Sequence, residues 1–312
     1  MSKKYLTYAI SACRNLPKNY LAYALLVCTT LIWSVNFIIG KFAYLFEVPP
    51  LSLNFLRWAL VWLILFPFTY KEIFLNIKLI KKNIIYLTIL AITSVSAFNS
   101  LVYSSLVYIK AIDTVLMISI IPVFVLFLSS LLKIEKFNML QAIGLVISFF
   151  GVLIIIFEAD INKVINLNFN IGHMLMLSAV FCWALYSSLL KKKKLPFSTL
   201  ALVEILASIG IIFLIPQFIG EQLSGKEIKF NKAFFLILSF VTIFASIGAY
   251  YCWNKSIEII GPNKSSSFLH LMPVFGVILA IILLKENFEK YHFIGALFIV
   301  TGIYLSNRKI ND

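Results

Sequence analysis

Ile121-Pro122-Val123-Phe124 is followed by Leu132-Lys133-Ile134-Glu135-Lys136-Phe137 and then by Gly144 and Gly151. Met272-Pro273-Val274-Phe275 is followed by Leu283-Leu284-Lys285-Glu286-Asn287-Phe288 and then by Gly295 and Gly302. Proline, glutamate and both glycines of the first block each recur 151 residues later, and Trp33 and Trp183 extend the match at an offset of 150. Chance does not hold one register over so many kinds of landmark. The chain is an internal duplication, and in a very apolar chain duplication points to a transporter fold made of two related halves.

Composition places the chain in lipid. Apolar residues make up 61% of its 312 residues and charged residues 13%, where an ordinary soluble domain has about 25% charged. The mean hydropathy is +0.97. The 29 Phe and 14 Tyr suit helices that face acyl chains and headgroups. A net charge of +14 would suit nucleic acid if the basic residues shared a stripe, but they sit between apolar runs, so no nucleic-acid partner is expected. Cys13, Cys28, Cys182 and Cys252 are far apart with no CxxC or Cys/His spacing, which implies neither disulfide nor metal. The segment 1–19 leads into an apolar run of full span length without an A-x-A-type cleavage site, so it reads as a basic tail and not a signal peptide.

A helix needs roughly 20 apolar residues to cross the hydrocarbon core. Apolar runs predict ten spans, near 20–40, 51–70, 84–104, 113–132, 139–157, 171–190, 197–216, 233–254, 264–284 and 291–306. The predicted fold is an all-α integral membrane protein, a 5+5 inverted-topology repeat of ten transmembrane helices. Its first repeat is 20–157, its second 171–306, and the loop 158–170 joins them. Five spans per repeat is an odd number, so the second copy must enter the membrane upside down, which sets Glu135 and Glu286 on opposite faces. With the N-terminus inside, inner segments hold 18 Lys and Arg against 8 in outer segments, so the tails 1–19 and 307–312 are both expected in the cytoplasm.

Pro122 and Pro273 fall about halfway along the fourth and ninth predicted spans. Each removes a backbone donor, and matched broken helices near the midplane point to a transporter's binding site; a packing kink is the plain alternative. The glycine pairs Gly144/Gly151 and Gly295/Gly302 are each seven apart, on one face of their helix, which suits a close helix–helix seam. Arg57 and Glu204 are ionisable groups inside spans. Arg57 reads as a substrate charge contact and Glu204 as a proton-coupling group, with snorkelling as the competing reading for both. Trp33, Asn36, Asn99, Tyr103, Ser119, Trp183, Tyr186, Tyr250, Ser267 and His270 are the embedded polar and aromatic residues expected to bind substrate. A lone His in a helix is also a common packing residue. There is no HExxH, GxSxG, Walker loop or acidic metal pair, so neither catalysis nor a cofactor is expected.

Trp33-Ser34-Val35-Asn36-Phe37 with Lys41, then Pro50 and Arg57, then the paired P-V-F, E-x-F, G and G blocks resemble the EamA family of the drug/metabolite transporter superfamily. The resemblance runs over residues 20–306. It implies an alternating-access carrier of the bacterial inner membrane, often an exporter of amino acids or other small metabolites, with a central cavity lined by the first, third, fourth, sixth, eighth and ninth helices. Trp183-Ala184-Leu185-Tyr186 departs from the first-helix motif by lacking the asparagine. The partners expected are a small-molecule substrate, the bilayer and, through Glu204, a proton; a monomer and a homodimer both fit. The rival readings are a sugar-nucleotide or phosphate-ester exchanger, a membrane-embedded lipid enzyme, and a receptor or assembly protein that transports nothing.

Overall fold

In the computed structural model the described residues are 18–308, except 110–113, 115–116, 137, 161, 163–164, 166–169 and 285–288. Glu286 and most of the two tails therefore lie outside the described residues, as does much of 158–170. The described secondary structure is helical throughout. Its elements are α1 (Lys18–Leu45), α2 (Pro50–Leu75), α3 (Ile84–Ser105), α4 (Ile121–Leu131), α5 (Met139–Ile156), α6 (Ile171–Lys192), α7 (Thr199–Leu223), α8 (Lys232–Ile260), α9 (Leu271–Leu284) and α10 (Lys290–Asn307). Seven of them, α1, α2, α3, α5, α6, α7 and α8, are long and apolar enough to cross a membrane. Large apolar side chains cover the outside, with Phe68 80% and Leu75 86% exposed, as a lipid-facing surface requires.

The remaining predicted spans differ in form. The described helix of the fourth is Ile121–Leu131, 11 residues, with Pro122 in its first turn. The ninth comes in pieces: Pro262–Ser267, a 3-10 turn Phe268–His270, then α9 with Pro273 near its start. Both prolines thus open a helical segment just after a break inside their predicted span, since helical residues also precede each break (Thr114, Met117 and Ile118; Pro262–Ser267), and the first turn needs no donor from the proline nitrogen. Gly261, at φ +84°, ends α8 in a conformation that a side chain would strain. Two further irregularities lie in long helices: π-helical turns at Ile92–Ser96 in α3 and Val241–Gly248 in α8.

The pairing of helices follows the sequence repeat. α5 packs on α10, α2 on α7, α1 on α8 and α3 on α6. The α5–α10 crossing is made by glycine: a Cβ on Gly144 would stand 2.6 Å from Gly302 O, and one on Gly151 would stand 2.6 Å from Gly295 O. α2 and α7 run antiparallel and are fastened at both ends. Glu221, late in α7, accepts from Ser52 N at 2.6 Å and from its hydroxyl at 2.9 Å, capping α2. Glu72, late in α2, accepts from Ser198 N at 2.5 Å and from its hydroxyl at 2.7 Å, capping α7.

Contacts between junctions sort them onto two faces. Lys229 pairs with Glu47, joining the α7–α8 loop to the α1–α2 turn. On the opposite face Lys191 donates to Glu258 O at 2.6 Å, and Glu135 accepts from Asn263 N at 3.1 Å. Burial pushes the Glu135 carboxyl above the usual carboxylate range, against the pull of the Asn263 bond and of Lys191 and Lys264. This second face carries the lysine run Lys191–Lys194.

Candidate functional site

The site grows out of the π-helical turns. A π turn shifts the backbone ladder by one residue and leaves carbonyls open to side chains. Ser94 O in α3 accepts from Asn99 Nδ2 at 2.9 Å and from the Tyr250 hydroxyl at 2.7 Å. Asn99 Nδ2 also donates to the Tyr250 hydroxyl oxygen at 3.1 Å, a pair of residues 151 apart in sequence. In α8, Ser246 donates to Val241 O at 2.7 Å, five residues back. Arg57 reaches this network from α2. It donates through Nη1 to Asn99 Oδ1 at 3.0 Å and to the Tyr103 hydroxyl at 2.9 Å, through Nη2 to Ala245 O at 3.2 Å, and through Nε to Ser246 Oγ. At 1% exposed, Arg57 turns inward and does not snorkel.

An aromatic cluster closes the other side. Trp33 and Trp183 meet edge to face with centroids 5.1 Å apart, and Tyr250 stands 5.3 Å from Trp183. Phe98 lies 4.5 Å and Tyr186 5.2 Å from Trp183. Trp33 Nε1 donates to Ala245 O at 3.2 Å, so the ring is held in place by the same π segment that holds Arg57. Between the network and the rings is a central cavity of about 20 Å³, room for roughly one water. Trp33, Asn36, Arg57, Asn99 and Tyr103 line it, together with Trp183 and Tyr250. In this conformation it is all but collapsed.

A larger cavity, about 300 Å³, opens toward the lysine face and is lined by Tyr86, Lys191, Lys193, Lys194, Asn254 and Glu258. Beside it the Tyr186 hydroxyl donates to Asn254 Oδ1 at 2.6 Å, and Asn254 Nδ2 is buried with no hydrogen-bond partner. At the opposite face the corresponding space, beside Tyr44 and Pro50, is about 10 Å³.

Other residues singled out from sequence lie elsewhere. His270 Nε2 donates to Ser119 O at 2.8 Å, again 151 apart in sequence, and its Nδ1 meets the Ser148 hydroxyl. Neither His270 nor Ser119 lines the central cavity; together they tie the start of α9 to α5 and to the turn before α4. Ser267 donates to Lys264 O at 2.8 Å and accepts from Asn307 at 3.0 Å, away from the centre. Tyr186 stands at the edge of the ring cluster and does not line the cavity. Glu204, on α7, is fully buried with both carboxylate oxygens lacking a hydrogen-bond partner. Its helix packs on α2 and on the π turn of α3. Ser246, Phe98 and Asn254 were not singled out from sequence. Ser246 and Asn254 signal themselves as polar residues in an apolar run, whereas the Ala245 carbonyl carries no side-chain signal.

Comparison with known proteins gives a consistent picture. The model of a family described as the EamA-like transporter family matches twice, over residues 20–157 and 170–308. An uncharacterized transporter of Archaeoglobus fulgidus is 28% identical over 288 residues, covering 91% of this chain and 96% of that protein. A probable amino-acid metabolite efflux pump of Escherichia coli is 27% identical over 290 residues, covering 90% and 93%. One crystal structure shares the fold with a TM-score of 0.70 at 14% identity, over 91% of this chain and 95% of that one.

Proposed function

The chain belongs to the EamA-like transporter family, and from that premise we propose that it is a secondary carrier that exports a small organic metabolite, an amino acid or a related compound, by alternating access. It is a multi-pass membrane protein, and the reading assigns it to the inner membrane with ten spans in two inverted repeats and both termini in the cytoplasm. The observation that carries this reading is the central cavity. Its walls come from both halves of the chain, and residues one repeat apart meet in or beside it: Trp33 with Trp183, and Asn99 with Tyr250. A site on a pseudo-two-fold axis is open to either face by a rocking of one half on the other. The glycine seam of α5 on α10 and the reciprocal caps of α2 on α7 support the same symmetry. The name of the Escherichia coli relative supports export of an amino-acid metabolite.

Within transport the rival is a phosphate-ester or sugar-nucleotide exchanger. A dianionic phosphate calls for several cations, and among the described residues the cation lining this cavity is Arg57. The test is reconstitution in proteoliposomes loaded with a labelled amino-acid mixture. Exchange against external substrate is expected, above the leak of protein-free vesicles. A purified, folded protein that moves nothing above leak overturns the carrier reading, and lipid turnover by the same preparation would move it to the enzymes.

A further inference from the structure

We propose that the group this carrier recognises is a carboxylate bound by Arg57, which makes Arg57 a specificity-determining residue; the assignment rests on the transport reading above. Arg57 brings a full positive charge into the protein interior, and each of its four acceptors is neutral: Asn99 Oδ1, the Tyr103 and Ser246 hydroxyls, and Ala245 O. Lys226, Lys229 and Lys255 each face a carboxylate, whereas Arg57 makes no ion pair among the described residues. Neutral dipoles offset part of the cost of burying a cation; a counter-anion offsets the rest, and here the open space beside the guanidinium is the cavity itself. Four of its five N–H groups are engaged, so a carboxylate can take the free one and displace the Tyr103 hydroxyl from Nη1. One guanidinium neutralises one carboxylate, whereas a doubly charged phosphate would keep an uncompensated negative charge in the interior. The rest of the molecule would lie against Trp33 and Trp183, and Asn36, whose Oδ1 is buried without a partner in the same cavity wall, would meet a donor on it.

A second cavity, on the lysine face, carries the same sign. Lys191, Lys193 and Lys194 line this 300 Å³ cavity, where clustered cations raise the local concentration of anions. Its acid, Glu258, is already paired with Lys255 at 2.8 Å. The same cavity is lined by Asn254, whose Nδ2 is a buried donor without a partner.

Proteoliposomes carrying the full chain are loaded with a small-metabolite extract of the producing cells, and the exported compounds are identified by mass spectrometry. The most strongly exported one is then competed against its own primary amide. The expected result is that exported compounds carry a carboxylate and that the amide competes at least about tenfold more weakly. Arg57→Gln should lower their flux by a similar factor, with Arg57→Lys retaining part of it. Export of neutral or cationic compounds, export of phosphate esters in preference to carboxylates, or an amide that competes as well as its acid overturns the assignment while leaving the carrier intact. Export of nothing overturns the carrier reading and the assignment together. If Arg57→Gln fails to fold, the acid–amide comparison on the parent protein decides.

Discussion

Glu204 is a buried carboxyl group neither of whose oxygens has a hydrogen-bond partner, so proton uptake and release there would break no hydrogen bond. An exporter that works uphill needs an energy source, and this chain has no nucleotide-binding motif. Glu204→Gln is therefore expected to abolish pH-driven accumulation yet leave substrate exchange intact, because exchange moves no net proton. Accumulation equal to the parent's would reduce Glu204 to a packing residue. Asn99 is the joint of the central network, accepting from Arg57 and donating to Ser94 O and Tyr250. Asn99→Leu leaves those groups short of a partner, a loss of about 1–3 kcal/mol that thermal unfolding in detergent should register. Much of this site was legible in the sequence, since Trp33, Asn36, Arg57 and Asn99 are polar atoms in apolar runs and must find partners inside. His270 and Ser267 show where that logic stops. It says that a polar group is paired but not with what, and a helix broken just before or after the residue loses the periodicity that would place its face.

Among the elements, the α5–α10 crossing is the least tolerant of change. Its four glycines put each backbone where the other's Cβ would be. Gly144→Leu or Gly302→Leu should cost about 1–3 kcal/mol or more through overpacking, read as lost folded yield and a lower unfolding temperature. Stable, fully active variants would remove the close seam from the account. The seam and the two proline breaks were legible because glycine and proline act on the backbone itself. The π turns at Ile92–Ser96 and Val241–Gly248 were not, as no residue type compels them and their sequence reads as plain helix. Yet these turns place Ser94 O, Ala245 O and Ser246, so the part of the site that was hardest to read is the part that holds Arg57.

For the whole molecule, the grouping of junctions sets a testable topology. Single cysteines at Glu158 and Lys226 should react with an impermeant reagent from outside intact cells, and one at Lys193 should react from the cytoplasm alone. The reverse pattern would refute the orientation read from lysine bias. One consequence of the α2–α7 caps reaches further. The helices are fastened at both mouths by the same chemistry in unequal surroundings: the Glu221 side chain is 2% exposed, while Glu72 meets water beside Ser198. Water competes for a wetted hydrogen bond and not for a dry one. Under the proposed alternating access one clasp is undone while the other holds, and the difference between the two clasps would then set the resting bias. The spaces of about 300 Å³ at the wetted end and about 10 Å³ at the dry end lie as that bias requires. Ser52→Ala should tilt the balance toward the dry mouth and Ser198→Ala away from it, so that a cysteine placed at Asn36 is labelled faster from opposite sides in the two variants. Two serines, neither of them at the binding site, would then determine which compartment the empty carrier waits upon.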